Sequence, residues 1–294
     1  MKKILNFSLI ALTIALGFSS CEGYGDYYGE NDFTIVYFAN DNMSRSVVLD
    51  EFDYIKVGCV LAGKTSNDKD EWFKYEMVDS LVDTSVYTIL PQSLYTLEGD
   101  EYNGQSNTVV IPEGEMLGLM KITLKPEFFN DSKALDGKYA LGFRLLDAST
   151  DSIGKSEHVL TFQYLSNAVG FYNHKGMAIS SSDTLEYTND DKELTTVGPT
   201  GTNSVITPVL RLGENELILE LNMDDVDNVV VKSSGTSAIA LTEDGTGFFD
   251  RENDHNIYLD YTFEADGNTY NAKDTLVFYK RVIDGLIETD TRFF

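Results

Sequence analysis

Paired carboxylates are the most abundant chemically competent groups in this chain. Asp224-Asp225, Asp190-Asp191 and Glu98 with Asp100 could each supply the acid and base of glycoside hydrolysis. With 48 acidic residues such pairs arise trivially, and no neighbouring sequence marks any of them as buried or shifted in pKa. The three histidines, His158, His174 and His255, are too scattered for ligand spacing, and no H-E-x-x-H occurs. A G-x-S-x-G elbow, a Walker loop and a dinucleotide fingerprint are also missing. Hard-oxygen ligands for calcium cluster in "NMDDVDN", where Asp224, Asp225 and Asp227 are weak candidates, and in "DRENDHN". Neither stretch has the glycine and terminal glutamate of a calcium loop, so exposed acidic turns are the expectation. No cofactor and no catalytic residue are indicated.

Sugar binding would use other residues. It needs a flat aromatic face against the apolar side of a pyranose, with polar groups to fix the hydroxyls. The candidates are Trp72, the sole tryptophan, in "SNDKDEWFKYE"; Tyr172 with His174 in "GFYNHKG"; and Phe248 with Phe249 in "DGTGFFDREND". In a strand, two adjacent aromatics cannot both point to the same side.

The two cysteines differ in context. Cys59 lies in the alternating run "YIKVGCVLAG" and reads as a small buried hydrophobe. Cys21 follows a basic start (Lys2, Lys3), an apolar run from Leu5 to Phe18, and Ser19-Ser20. The apolar run is too short to span a bilayer comfortably. Residues 1–20 resemble a bacterial lipoprotein signal with Phe18-Ser19-Ser20-Cys21 as a relaxed lipobox, making Cys21 the expected lipidation site. Residues 21–32 then read as a flexible acidic tether, with Glu22, Asp26, Glu30 and Asp32. Such acids close behind the cysteine resemble the export signals of lipoproteins on the outer face of Bacteroidetes outer membranes. Lipid anchorage there, facing the cell exterior, is the expected location.

Composition bounds the partners. A net charge of −26 repels nucleic acid and anionic headgroups. At 42% hydrophobic and 12% aromatic residues the chain can nevertheless bury a core, and its length suits two domains. The elements that must position any site are strands. "FTIVYFAN", "SVYTIL", "NTVVI", "MKITLK" and "KYALGFRLLDAS" alternate at period two, and "HVLTFQYL" closes this block near Leu165. A helical turn is possible at "KPEFFNDSKAL". The second block includes "SVITPVLRL", "NELILELNM", "NVVVKSS" and "AIALT", and its best-defined part is a hairpin. There Ile257, Leu259, Tyr261 and Phe263 share a face, Asp266-Gly267 makes the turn, and Thr275 to Tyr279 return. The fold class expected is all-β: an immunoglobulin-like sandwich at 33–166, then an antiparallel barrel of calycin type or second sandwich at 167–294.

Three segments of the first block carry a likeness. "YTILPQSLYTLEG" (Tyr87 to Gly99), "VVIPEGEMLGLMKITL" (Val109 to Leu124) and "GKYALGFRLLDAS" (Gly137 to Ser149) resemble the N-terminal immunoglobulin-like domain of Bacteroidetes surface lipoproteins. "GFYNHKG" and "DTLVFYKR" are similar to the C-terminal domain that often follows it. The resemblance implies an accessory lipoprotein of a polysaccharide-utilisation system, working beside an outer-membrane importer and binding polysaccharide or oligosaccharide, or serving as an adhesin or assembly subunit through protein contacts alone. An unrecognised glycoside hydrolase is a further alternative. Asp79-Ser80-Leu81, Asp151-Ser152-Ile153, Asp183-Thr184-Leu185 and Asp274-Thr275-Leu276 resemble the O-glycosylation acceptor of exported Bacteroidetes proteins.

Overall fold

The computed structural model of the chain describes residues 33–197 and 203–284, and the backbone of 286–288. The signal segment, Cys21 and the tether lie outside the described residues.

The chain is all-β, as its alternation requires. Its first half contains β1 (Ile35–Tyr37), β2 (Asn42–Val48), β3 (Tyr54–Ala62), β4 (Glu71–Met77), β5 (Thr88–Ile89) and β6 (Tyr95–Glu98). After a small hairpin of β7 (Glu101–Tyr102) and β8 (Gln105–Ser106) come β9 (Thr108–Ile111), β10 (Leu117–Leu124), β11 (Tyr139–Ala148), β12 (Ser152–Ile153) and β13 (Glu157–Leu165). These strands build two sheets, ordered β12-β1-β3-β10-β6 and β2-β13-β11-β4-β9, packed as a sandwich. In β3 the alternation buries Ile55, Val57, Cys59 and Leu61 while Tyr54 stays out. In β10 it buries Met120, Ile122 and Leu124. Burial pushes the Cys59 thiol up, away from the thiolate that reactivity needs. The expected helical turn is α1 (Pro126–Phe129) with α2 (Ser132–Leu135). Phe128 drops into the core, and Asp131 caps α2 by accepting from the Lys133 N–H at 2.9 Å.

The second half contains β14 (Gly170–Ile179), β15 (Thr184–Val197), β16 (Ser204–Leu212), β17 (Asn215–Asn222) and β18 (Val229–Ser233). It continues with β19 (Gly245–Asp250), β20 (Asn256–Ala265), β21 (Asn268–Ile283) and the short β22 (Leu286–Glu288). Each strand pairs with its successor, and β14 also pairs with β21, closing an eight-stranded barrel. A barrel of eight strands is just wide enough to be filled by side chains. This one is filled, by Tyr172, Leu194, Leu219, Val231, Phe249, Leu259 and Phe263 among others. The hairpin read from the sequence is β20–β21. Asp266 and Gly267 both take positive φ (51° and 76°), as a primed turn demands, and Ala265 pairs with Asn268. Its return strand is longer than the sequence suggested, running on to Ile283.

That extension ties the barrel to the sandwich. Arg281, 1% exposed, forks onto Glu51 with bonds of 2.9 and 2.7 Å. Asp284 accepts from the Ser46 N–H at 3.1 Å and from its Oγ at 2.9 Å, and Arg251 reaches Asp50. At the crossing itself, Ser166 Oγ donates to Asn203 Oδ1 at 2.5 Å, and Asn203 Nδ2 donates to Asn167 Oδ1 at 2.7 Å.

Candidate binding face on the barrel wall

Strand β19 sends its two aromatics to opposite sides. Phe249 enters the barrel core and is 1% exposed, while Phe248 stands on the outer wall at 41%. The register sets Phe248 opposite Tyr258 on β20, and Tyr258 opposite Thr275 on β21. Phe248 and Tyr258 stack, with ring centroids 6.2 Å apart and planes 18° from parallel. Tyr258 is 43% exposed, so the pair offers a continuous aromatic surface to solvent. Polar groups frame it: Asp260 and Lys273 pair at 3.1 Å, and the Thr246 and Thr275 positions flank the rings. Together they line a shallow groove of about 330 Å³. A second groove of about 450 Å³ shares Lys273 and continues over Lys175, Met177, Glu186 and Thr188. Such a face can cover the apolar side of a sugar ring and bind its hydroxyls at the edge.

Beneath this wall lies a largely buried polar cluster. His174 Nε2 and Asp274 Oδ2 are 3.0 Å apart, Tyr261 donates to Asp274 Oδ2 at 2.7 Å, and Tyr187 donates to Asp274 Oδ1 at 2.7 Å. Burial, together with the Asp274 charge, pushes both tyrosine hydroxyls well above their ordinary range. Gly176 makes room for this: a Cβ there would sit 2.0 Å from the Tyr187 ring and 2.3 Å from Asp274 Oδ1. His174 and Asp274 have no side-chain exposure, while Tyr187 is half-buried and lines the second groove. The cluster pairs the Asp274 carboxylate and both tyrosine hydroxyls inside an apolar barrel, leaving His174 Nδ1 without a hydrogen-bond partner.

The structure thus scatters the aromatic candidates named from the sequence. Tyr172 is fully buried and donates to the Ala168 carbonyl at 2.9 Å, and His174 and Phe249 also point inward. All three occupy the inward phase of their strands. Trp72 lies on β4 of the sandwich, half-buried, its backbone N–H donating to Ser149 Oγ at 2.8 Å. Phe248 alone among them joins the wall. Tyr258, its partner, was not singled out, although "NIYLDYTFEA" places it on the polar phase with Asp260 and Thr262. An aromatic on the wet side of an alternating strand was the signal.

The acidic turns hold themselves. Asp224 accepts from the Asn203 N–H at 2.8 Å and from Asn222 Nδ2 at 3.0 Å, and Asp225 accepts from the Asp227 N–H at 3.1 Å. Among the described residues no three His, Cys, Asp or Glu groups gather to hold a metal ion. A further hollow of about 480 Å³ lies in the sandwich, lined by Asp50, Glu51, Asp53, Leu124 and Phe129. Two of its acids are already engaged by Arg251 and Arg281, and Phe129 packs edge-on against Phe128 and Tyr164.

A family model described as "-like, N-terminal domain" matches residues 28–152, less than half of the chain. The three sandwich segments from Tyr87 to Ser149 all fall inside it. A crystal structure of a Bacteroides ovatus protein of unknown function superposes with a TM-score of 0.67 at 18% identity, covering 88% of this chain and 98% of that one. The two proteins share a fold. A second Bacteroides ovatus structure, of a multidomain protein including DUF1735, aligns at 14% identity with a TM-score of 0.43, over 86% of this chain and 99% of that one. No curated protein matches the chain.

Proposed function

We propose that this chain is a non-catalytic lipoprotein, moored through Cys21 to the outer face of an outer membrane, whose barrel binds glycan in a polysaccharide-capture system. The observation that carries the glycan reading is the stacked, exposed pair Phe248–Tyr258 with its polar frame. The lipobox and acidic tether support the location, and the motif likeness to Bacteroidetes surface lipoproteins supports the setting. Contact rather than turnover is favoured because the His174 and Asp274 side chains have no exposure and Asp190, Asp191, Asp224, Asp225 and Glu98 are all exposed.

Affinity electrophoresis through gels of different polysaccharides, using the chain from Glu22 onward, tests this reading. Retention by at least one polysaccharide is expected. Phe248→Ala and Tyr258→Ala should each weaken it by about 1–2 kcal/mol, some five- to thirtyfold, the scale of one lost ring contact. Lack of retention on every polysaccharide, or retention that both variants leave unchanged, rejects the wall as a glycan site. Mass spectrometry of the native protein tests the anchor, with a diacylglyceryl group on Cys21 as the expected result.

A further inference from the structure

The barrel is closed by unequal seams. Strand β15 pairs with β14 from Thr184 to Leu194, yet it meets β16 only over Thr195–Val197. Beyond that point β16 pairs with β17 alone, through Leu212. Among the described residues no other strand pairs with either edge there, so β15 and β16 part like two lips. Unpaired N–H and C=O groups along a strand edge are a template for another strand.

The side chains of the β15 lip specify what would fit. Leu185 and Tyr187 sit opposite Ala178 and Gly176 in the register, on the inward face, and pack on the barrel core. They are only half-buried, whereas Leu259 and Tyr261, inward residues of the fully paired β20, are buried. A missing neighbour explains the difference. Leu212 on the opposite lip is half-buried in the same way. On the outward face Glu186 is exposed, as are Asp190, Asp191 and Glu193 further along; Lys280 reaches Asp191 at 3.9 Å, and Lys175 and Lys273 share the groove beside Glu186. Asp191 takes φ 57° where the register shifts, so the regular part of the edge is Thr184–Asn189. A second copy of this edge would bring mostly acid against acid, which disfavours self-pairing.

We propose that the β15 edge binds an extended segment of a partner protein in which apolar and cationic residues alternate. The apolar residues would complete the cover over Leu185 and Tyr187, and the lysines or arginines would lie beside Glu186 on the outer face. The bound segment adds a strand to the sheet by main-chain pairing. Glu186 and Thr188 also line the second groove, but the main-chain edge is on a different strand from the Phe248–Tyr258 pair, so the proposal stands whether or not that pair binds sugar.

The probe is a short acetylated peptide alternating lysine and valine, compared with one alternating glutamate and valine, each added to the chain from Glu22 onward. Hydrogen exchange should show the outward amides of Leu185–Asn189 slowing by about tenfold or more with the lysine peptide at low salt, and little change with the glutamate peptide. Glu186→Lys, a change at an exposed position, should weaken the lysine peptide by roughly tenfold and leave the fold intact. Four results overturn the proposal: no binding at millimolar peptide, equal binding of both peptides, binding that leaves those amides exchanging as before, or amide slowing that follows protein concentration without peptide. The last would identify self-association at this edge.

Discussion

At Asp274 three side chains from three strands converge on one carboxylate: His174 from β14, Tyr187 from β15 and Tyr261 from β20. Removing it leaves two hydroxyls and a ring nitrogen without their acceptor inside the barrel. Asp274→Ala should therefore lower stability by about 2–4 kcal/mol, measured by denaturant unfolding, because buried polar groups lose their partners together. Tyr187→Phe should cost less, about 1 kcal/mol, since Tyr261 and His174 still engage the carboxylate. Little of this was legible beforehand. His174 attracted notice as a neighbour of Tyr172, but its partner lies 100 residues on. Residue types and local spacing say which groups can hydrogen-bond; only barrel closure decides that these meet. The same limit explains the aromatics. Alternation told that Phe248 and Phe249 must part, while which of the two faced water depended on the barrel's inside.

Elements were more readable, because each carries its own period. The β20–β21 hairpin followed from Ile257, Leu259, Tyr261 and Phe263 on one face and from Asp266-Gly267, whose positive φ angles confirm the turn chemistry. Gly267 has open space around its missing Cβ, so Gly267→Ala should cost about 1 kcal/mol through backbone conformation alone. Gly176 presents the opposite case. Its φ is ordinary, yet any Cβ collides with the Tyr187 ring, so Gly176→Ala should displace that ring. Thermal unfolding of the two variants, each combined with Tyr187→Ala, separates the causes: the second mutation should relieve the Gly176→Ala defect and leave the Gly267→Ala defect unchanged. The sequence was silent about closure of the barrel, since β14 and β21 pair across a hundred residues and each would make an equally good edge.

For the molecule as a whole, the junction sets how the halves stand. Burial would raise the Glu51 carboxyl, but His255 and the Arg281 fork overcome that and hold it down to about 2. The fork has hydrogen-bond geometry at 2.7 and 2.9 Å, and the His255 imidazole stands 4.0 Å from the carboxylate. A carboxylate depressed in the folded state stabilises above its unfolded pKa and loses that contribution as pH falls toward the folded value. The junction should hold from neutral pH down to about 4.5 and weaken between there and about 2, which spin-label distances between sandwich and barrel would record. Glu51→Gln should broaden those distances already at neutral pH, because it leaves Arg281 buried beside a neutral amide. Strand β21 serves both ends of this architecture: Thr275 and Lys273 face the groove, and Arg281 reaches the sandwich. A tug on a captured polymer would thus travel down one continuous tie-rod, straining the ladders of β14 and β20 along their length instead of peeling them apart rung by rung.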